Sequence, residues 1–224
     1  MKVGVFGRNK LSEIFISEFK HRYPFPSIGK GTEIIILADK DYMAPGDLEY
    51  SYNNVKDLNF LYLPIGYKSK NLKSNKYSQA KEWGACTPSY ISLGATVLDT
   101  TTTSNIKEAS WIMSGSIIGI GSHVGTGSTI WSGCNLAHHC TVGEFSWLSP
   151  GVIMLGESSV GPNCFIGAGS IIGEGVSIAD NCFIGAGAIL TKNLSPNSVA
   201  LHGKNNIVHK GDRFAVSAMY EKLK

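Results

Sequence analysis

The chain has 224 residues, 43% of them apolar, enough to bury one good core and a second small one. Its net charge of +3 is small and dispersed, which excludes a nucleic-acid partner as the default expectation. Only a few apolar residues separate Met1-Lys2 from Arg8 and Asn9, so the start reads neither as a signal-peptide core nor as a membrane span, and a cytoplasmic protein is expected.

Residues 1–85 read as a small α/β domain of Rossmann-like order. Lys2–Phe6 is a short apolar strand, Leu11–Lys20 spaces Leu11, Ile14, Phe15 and Phe19 as a helix does, and Glu33–Ala38 is a buried strand. His21–Gly31, with Pro24, Pro26, Gly29 and Gly31, is a loop; Phe60–Ile65 is a third strand, and Lys76–Trp83 is a helix capped by Gly84. A strand, turn, helix, strand order can place a phosphate on backbone N–H groups at the helix N-terminus, which makes Gly7, Arg8 and Asn9 candidate sugar- or nucleotide-binding residues. The glycine pattern is incomplete, since Gly4 and Gly7 do not form a full G-x-G-x-x-G. Asp39 follows the second strand as a candidate ribose contact or an ordinary strand-end acid.

Residues 86–195 are the larger domain. From Ile106 to Leu190 an aliphatic residue or Met returns at every sixth position without a skip, through Ile112, Ile118, Val124 and onward to Ile178 and Ile184. Neither a helix nor a half-buried strand has this period; a hexapeptide repeat is the signature of a parallel β-helix. Two residues before each aliphatic position the side chain is small, as in Ser116, Ser122, Ser128, Cys134 and Cys140. Three residues after it stands a residue tolerant of positive φ, as in Gly121, Gly127, Asn163 and Gly187, with His139, Phe145 and Glu157 as exceptions. Cys134, Cys140, Cys164 and Cys182 fall in the small column, so packing rather than metal or redox chemistry is their expected role.

Ile91 and Val97 keep the period but are out of phase by three with Ile106, an offset placed in Thr100–Asn105. Past Leu190 the period breaks at Thr191-Lys192-Asn193 and Pro196, and residues 196–224 form a C-terminal tail with a short helix expected from Asp212. Three hexapeptides make one triangular coil, so residues eighteen apart should stack at roughly 4.8 Å. His138 then lies in one column with Ile120 and Gly156, and His139 in one with Gly121 and Glu157.

Three runs resemble the hexapeptide acyltransferases: Trp131-Ser-Gly-Cys-Asn-Leu-Ala-His-His-Cys140, Gly143-Glu-Phe-Ser-Trp-Leu-Ser-Pro150 and Asn181-Cys-Phe-Ile-Gly-Ala-Gly-Ala-Ile-Leu-Thr-Lys192. Residues 118–203 are similar to the β-helix of the sugar O- and N-acetyltransferases grouped with sialic acid O-acetyltransferase, and Leu63-Pro-Ile-Gly-Tyr67 is similar to the end of that family's N-terminal domain. The resemblance implies a left-handed parallel β-helix, a homotrimer with active sites between neighbouring subunits, and acetyl-CoA as donor in the groove between them. It implies an acetyl transfer to an amino or hydroxyl group of a sugar, nucleotide-linked in the family's pattern, in surface-glycan biosynthesis, with no metal.

The resemblance also assigns roles. His138 matches the general base, a task suited to an imidazole whose unperturbed pKa is about 6.5. Gly156 matches the residue whose N–H receives the thioester carbonyl. Ala168 and Ala186 match main-chain contacts to the pantetheine arm, and Lys192 is placed for a CoA phosphate. Where some relatives follow the base with an acid this chain has His139, a substrate contact or orienting group; Glu157, in its column, is a candidate for the missing charge. Trp147 stands where some relatives have a histidine near the acetyl group.

Two other classes fit the same fold. A metalloenzyme of the γ-carbonic anhydrase type would hold zinc with His123 and His138 or His139 from adjacent subunits, although neighbouring residues of an extended segment point in different directions. A non-catalytic β-solenoid that binds a sugar nucleotide is the other.

Overall fold

The computed structural model describes residues 1–7, 12–17, 32–39, 44–67, 71–98, 105–202 and 208–209. The chain divides into two compact units, Met1–Pro88 and Ser89–Lys224.

In the first unit, strands β1 (Lys2–Phe6), β2 (Glu33–Ala38), β3 (Leu48–Glu49) and β4 (Phe60–Tyr62) pair in the order β3-β2-β1-β4, all parallel. The bounds of β1 and β2 are those the sequence predicts. β4 ends before Pro64 instead of running to Ile65, because proline has no N–H to donate to a ladder. Helix α1 spans 12–17, and two elements go beyond those the sequence predicts: β3, and after it the single-turn helix α2 (Tyr52–Val55). Helix α3 (Leu72–Glu82) starts a turn earlier than predicted. It ends as expected: Gly84 has φ 75°, its N–H donates to Lys81 O at 3.0 Å, and Ala85 N–H donates to Ala80 O at 2.9 Å. Val3, Val5, Phe15, Leu37, Leu61 and Leu63 fill the core. Arg8, Asn9 and the whole of the His21–Gly31 loop lie outside the described residues.

The second unit is a parallel β-helix of two-residue strands on three faces. The first face runs from Tyr90–Ile91 through Trp111–Ile112, Thr129–Ile130, Trp147–Leu148, Phe165–Ile166 and Phe183–Ile184 to Val199–Ala200. The second contains Ile117–Ile118, Asn135–Leu136, Ile153–Met154, Ile171–Ile172 and Ile189–Leu190, and the third His123–Val124, Thr141–Val142, Ser159–Val160 and Ser177–Ile178. Pairings such as Asn135↔Ile153, Thr141↔Ser159 and Trp147↔Phe165 put residues eighteen apart side by side. The aliphatic column is the core: Ile112, Ile118, Ile130, Leu136, Met154 and Ile184 are wholly buried.

The small column does more than fill space. Ser116, Ser122, Ser128, Ser146 and Ser170 each donate a side-chain hydrogen bond to the carbonyl fifteen residues ahead, at 2.6 to 2.9 Å. Cys134, Cys140 and Cys164 donate likewise to Ser149, Leu155 and Ala179, and Cys182 to Ser195, thirteen residues ahead, at 3.1 to 3.3 Å. These donors satisfy corner carbonyls that the strand ladder leaves over, which explains why hydroxyls and thiols recur where alanine would fit.

The corner column has positive φ even at its exceptions: His139 at 55°, Phe145 at 53° and Glu157 at 60°. Each bears a Cβ in a conformation that costs roughly 1–2 kcal/mol for an L-residue, held by the coil on either side.

At the start of the solenoid Ile91 pairs with Ile112 and Val97 with Ile118, three residues beyond the regular spacing, as the offset required. Residues 99–104, which hold most of it, lie outside the described ones. At the other end the ladder continues past the break after Leu190. Phe183 pairs with Val199 and Ile178 with Leu194, so this last coil is two residues short, and Val208–His209 adds an antiparallel strand on Val199–Ala200. The helix expected from Asp212 lies outside the described residues. No helix among the described residues is long and apolar enough to cross a membrane.

Candidate active site

The corner between the second and third faces carries the histidines. His138 and His139 follow the strand Asn135–Leu136 and precede Thr141–Val142. Three backbone hydrogen bonds tie this corner from coil to coil: His139 N–H to Ile120 O at 2.8 Å, Glu157 N–H to His138 O at 3.0 Å, and Gly175 N–H to Gly156 O at 3.0 Å. Both imidazoles are exposed, yet each is seated on a glycine of a neighbouring coil. A Cβ on Gly156 would stand 2.4 Å from His138 Cε1 and 2.5 Å from Nε2; one on Gly121 would stand 2.6 Å from His139 Cδ2 and 2.9 Å from its Nε2. Only a bare backbone lets the rings lie so close.

The two rings also meet each other. His138 Nδ1 and His139 Nδ1 are 3.3 Å apart, with the ring planes inclined at 74°. Gly156 is buried, and among the described residues its N–H has no hydrogen-bond acceptor. An unengaged backbone donor under an imidazole is what a base beside an oxyanion site requires. Glu157 is exposed and, among the described residues, forms no ion pair or hydrogen bond with His139.

The remaining sequence-predicted residues divide between this corner and other places. Lys192 is exposed and lies in the column of His138, Gly156 and Glu174, one coil beyond Glu174. Ala168 and Ala186 occupy the corner between the first and second faces, where both are exposed and Gly187 N–H donates to Ala168 O at 2.8 Å. Trp147 projects from the first face, opposite the histidine corner, and stacks on Trp131 with centroids 5.5 Å apart. One β-helix therefore does not bring Trp147, Ala168 or Ala186 to His138. His123 is on the third face, and among the described residues no three His, Cys, Asp or Glu side chains converge as a metal site would need.

In the first unit Gly7 has φ 82° at the carboxyl end of β1, and its N–H donates to Leu37 O at 2.6 Å. Asn9 lies outside the described residues. Asp39, at the carboxyl end of β2, is ion-paired with Lys76, whose ammonium lies 5.3 Å over the Phe6 ring and 4.7 Å over that of Tyr50. Tyr50 O–H donates to Lys76 O at 2.6 Å; burial, then the Asp39 charge, raises the Tyr50 pKa. This carboxylate is engaged by a packed cation, an account of Asp39 that needs no ribose.

Gly121 was not singled out for the site from sequence. Its position in the column of His139 is the signal that would have found it. The family model for the bacterial transferase hexapeptide (six repeats) matches residues 157–192. The chain has the hexapeptide-repeat fold. The acetyltransferase domain of PglB from Neisseria gonorrhoeae in complex with acetyl coenzyme A is similar at 18% identity with a TM-score of 0.75, over 94% of this chain and 98% of that one. PerB from Caulobacter crescentus, in complex with CoA and GDP-perosamine, is similar at 20% identity with a TM-score of 0.74, over 93% of this chain and 97% of that one. WeeI from Acinetobacter baumannii is similar at 14% identity with a TM-score of 0.51, over 93% of this chain and all 100% of that one. No curated protein matches the chain by sequence. At such identities the likeness is one of fold.

Proposed function

We propose that the protein is a cytoplasmic acetyltransferase that moves an acetyl group from acetyl-CoA to an amino or hydroxyl group of a sugar, nucleotide-linked, in surface-glycan biosynthesis. The observation that carries the reading is the seating of the His138 imidazole on Gly156, whose buried N–H is unengaged among the described residues. His138 Nε2 takes the proton of the acceptor N–H or O–H as the acceptor's lone pair attacks the thioester carbonyl. The oxyanion of the tetrahedral intermediate is received by Gly156 N–H. The C–S bond then breaks, and the CoA thiolate takes the proton from His138. The fold shared with acetyl-CoA- and CoA-bound structures supports the donor, and the GDP-perosamine held by PerB supports a nucleotide-linked acceptor.

The assembly is a homotrimer in this reading. Its support is an apolar stripe on the second face, where half-buried Ile153 and Ile171 and exposed Ile189 stack coil on coil, with exposed Ile117 beyond Asn135 and exposed Ile120 and Leu155 at the histidine corner. A neighbouring copy over this face would cover the stripe and bring further residues to His138, with Ala168, Ala186 and Lys192 as contacts to CoA and Trp147, His139 and Glu157 toward the acceptor. Gly7, at the carboxyl end of β1, and Asn9 are the proposed contacts for the nucleotide.

The test pairs a substrate panel with one substitution. Nucleotide-linked amino sugars and free sialic acids are incubated with acetyl-CoA and CoA release is followed; on the acceptor that turns over, His138→Ala should lower kcat by about 10²- to 10⁴-fold with the assembly intact. Near-normal turnover by that variant would remove His138 from the base role.

A further inference from the structure

The Nδ1 atoms of His138 and His139 face each other at 3.3 Å, within reach of one N–H···N hydrogen bond. Two neutral imidazoles can form it only if one ring carries its proton on Nδ1 and the other presents an Nδ1 lone pair. We propose that His139 is the acceptor, a positioning residue that holds His138 as the Nδ1–H tautomer and so leaves the Nε2 lone pair to act as base. The contact between the rings stands on the geometry, and the direction of its hydrogen bond rests on the acetyltransferase reading above.

The direction of the bond follows from what the His138 ring must do. Its Nε2 edge lies on Gly156, whose N–H has no acceptor among the described residues. As the base of the proposed transfer His138 needs its lone pair on Nε2, which places its proton on Nδ1 and makes His139 Nδ1 the acceptor. His139 is held for its part from the other side. Its ring rests on Gly121 through Cδ2 and Nε2, which turns Nδ1 toward His138, and its own N–H is bonded to Ile120 O at 2.8 Å. Gly121 and Gly156, on the coils before and after, therefore clamp a pair of rings that share one proton between their Nδ1 atoms. Glu157, the charged group in the His139 column, makes no ion pair or hydrogen bond with His139 among the described residues, so the contact between the two rings does the orienting.

The fold supplies its own control. Phe145 stands in the same corner column at φ 53° with its ring on Gly127, where a Cβ would meet Phe145 Cδ1 at 2.4 Å. His139→Phe should thus keep the corner and the ring on Gly121 while deleting the acceptor. His139→Asn keeps an acceptor oxygen near the place of Nδ1 and tolerates positive φ, as Asn163 and Asn181 do at 57°.

The experiment reads the tautomer directly. Protein labelled with ¹⁵N-histidine is examined by two-bond ¹H–¹⁵N correlation at about pH 8.5, where imidazoles are neutral. His138 and His139 are assigned by single substitution. The expected result is His138 protonated on Nδ1 and His139 on Nε2 in the wild type, Nδ1–H retained at His138 in His139→Asn, and a shift of His138 toward Nε2–H in His139→Phe. In turnover, His139→Phe should lose about 10- to 100-fold in kcat with KM for acetyl-CoA little changed, and His139→Asn should recover most of it. His138 found as Nε2–H in the wild type, or unmoved by His139→Phe, overturns the proposal. If the tautomers are as stated while His138→Ala keeps its turnover, the positioning pair stands and the base assignment falls.

Discussion

The imidazole of His138 lies on the backbone of Gly156, so near that a methyl group there would be 2.4 Å from His138 Cε1 and 2.5 Å from Nε2. Gly156 is not at positive φ, so its backbone accepts alanine without strain. Gly156→Ala should therefore act on the ring above it: His138 is exposed and can swing outward at little cost in stability, and the base leaves its place. Turnover falling at least about 10²-fold with a melting temperature within a few degrees of wild type is expected. A large drop in melting temperature would mean instead that the glycine serves packing.

Glu157 offers a test of strain at the same corner. Its φ of 60° is shared in this column by glycines and asparagines, among them Gly121, Gly169, Asn163 and Asn181. An exposed glutamate without an ion pair to His139 among the described residues has little to offset the conformational cost. Glu157→Gly should raise the midpoint of thermal unfolding by about 1–3 °C. A lower midpoint would show that the carboxylate makes a stabilising interaction in the assembled protein.

The cysteines should separate cleanly by reactivity. Cys86 is exposed, whereas Cys134, Cys140, Cys164 and Cys182 are buried. Burial raises Cys134 to about 11 and raises Cys140 as well. For the stacked pair, the hydrogen bond between them raises Cys164 and lowers Cys182. In the native protein at pH 8 an aromatic disulfide reagent should titrate Cys86 alone within minutes, and the other thiols only on unfolding. Rapid reaction of a second thiol before unfolding would contradict a closed interior.

Much of this was legible in the spacing of residues. A column of Ile106, Ile112, Ile118 and their successors defines the coil without reference to residue type at other positions. The rule of eighteen then places His138 over Gly156, and it forces positive φ on His139, Phe145 and Glu157, which residue preference alone would not suggest. Counting further separates Trp147 from His138, because twelve residues past Asn135 the chain has moved to another face. Three things depended on side-chain direction, which spacing does not encode: the Nδ1 contact of His138 with His139, the seating of His139 on Gly121, and the inward hydrogen bonds of the serines. The pairing of Lys76 with Asp39 was hidden for a different reason, since it joins a strand end to a helix through a tertiary contact.

Lys73 on α3 makes the last prediction, one about pH. It is buried, and burial lowers its ammonium from 10.5 to about 7. The folded-state pKa lies below the unfolded one, so between pH 7 and 10.5 the unfolded chain holds the extra proton. Stability from this group thus rises as pH climbs through that window, and below pH 7 its full cost is present. Lys73→Met removes the cost, so at pH 6.5 the variant should be more stable than wild type by roughly 2–4 kcal/mol. The advantage should shrink steadily toward pH 10, because the folded lysine is then neutral and the cost of removing its proton falls as pH approaches the unfolded value. Tyr50, raised by burial, contributes equally to both proteins and cancels in the difference. Paired denaturation curves from pH 6.5 to 10 read this directly; a difference that stays constant with pH would mean that Lys73 is charged and well solvated in the folded protein.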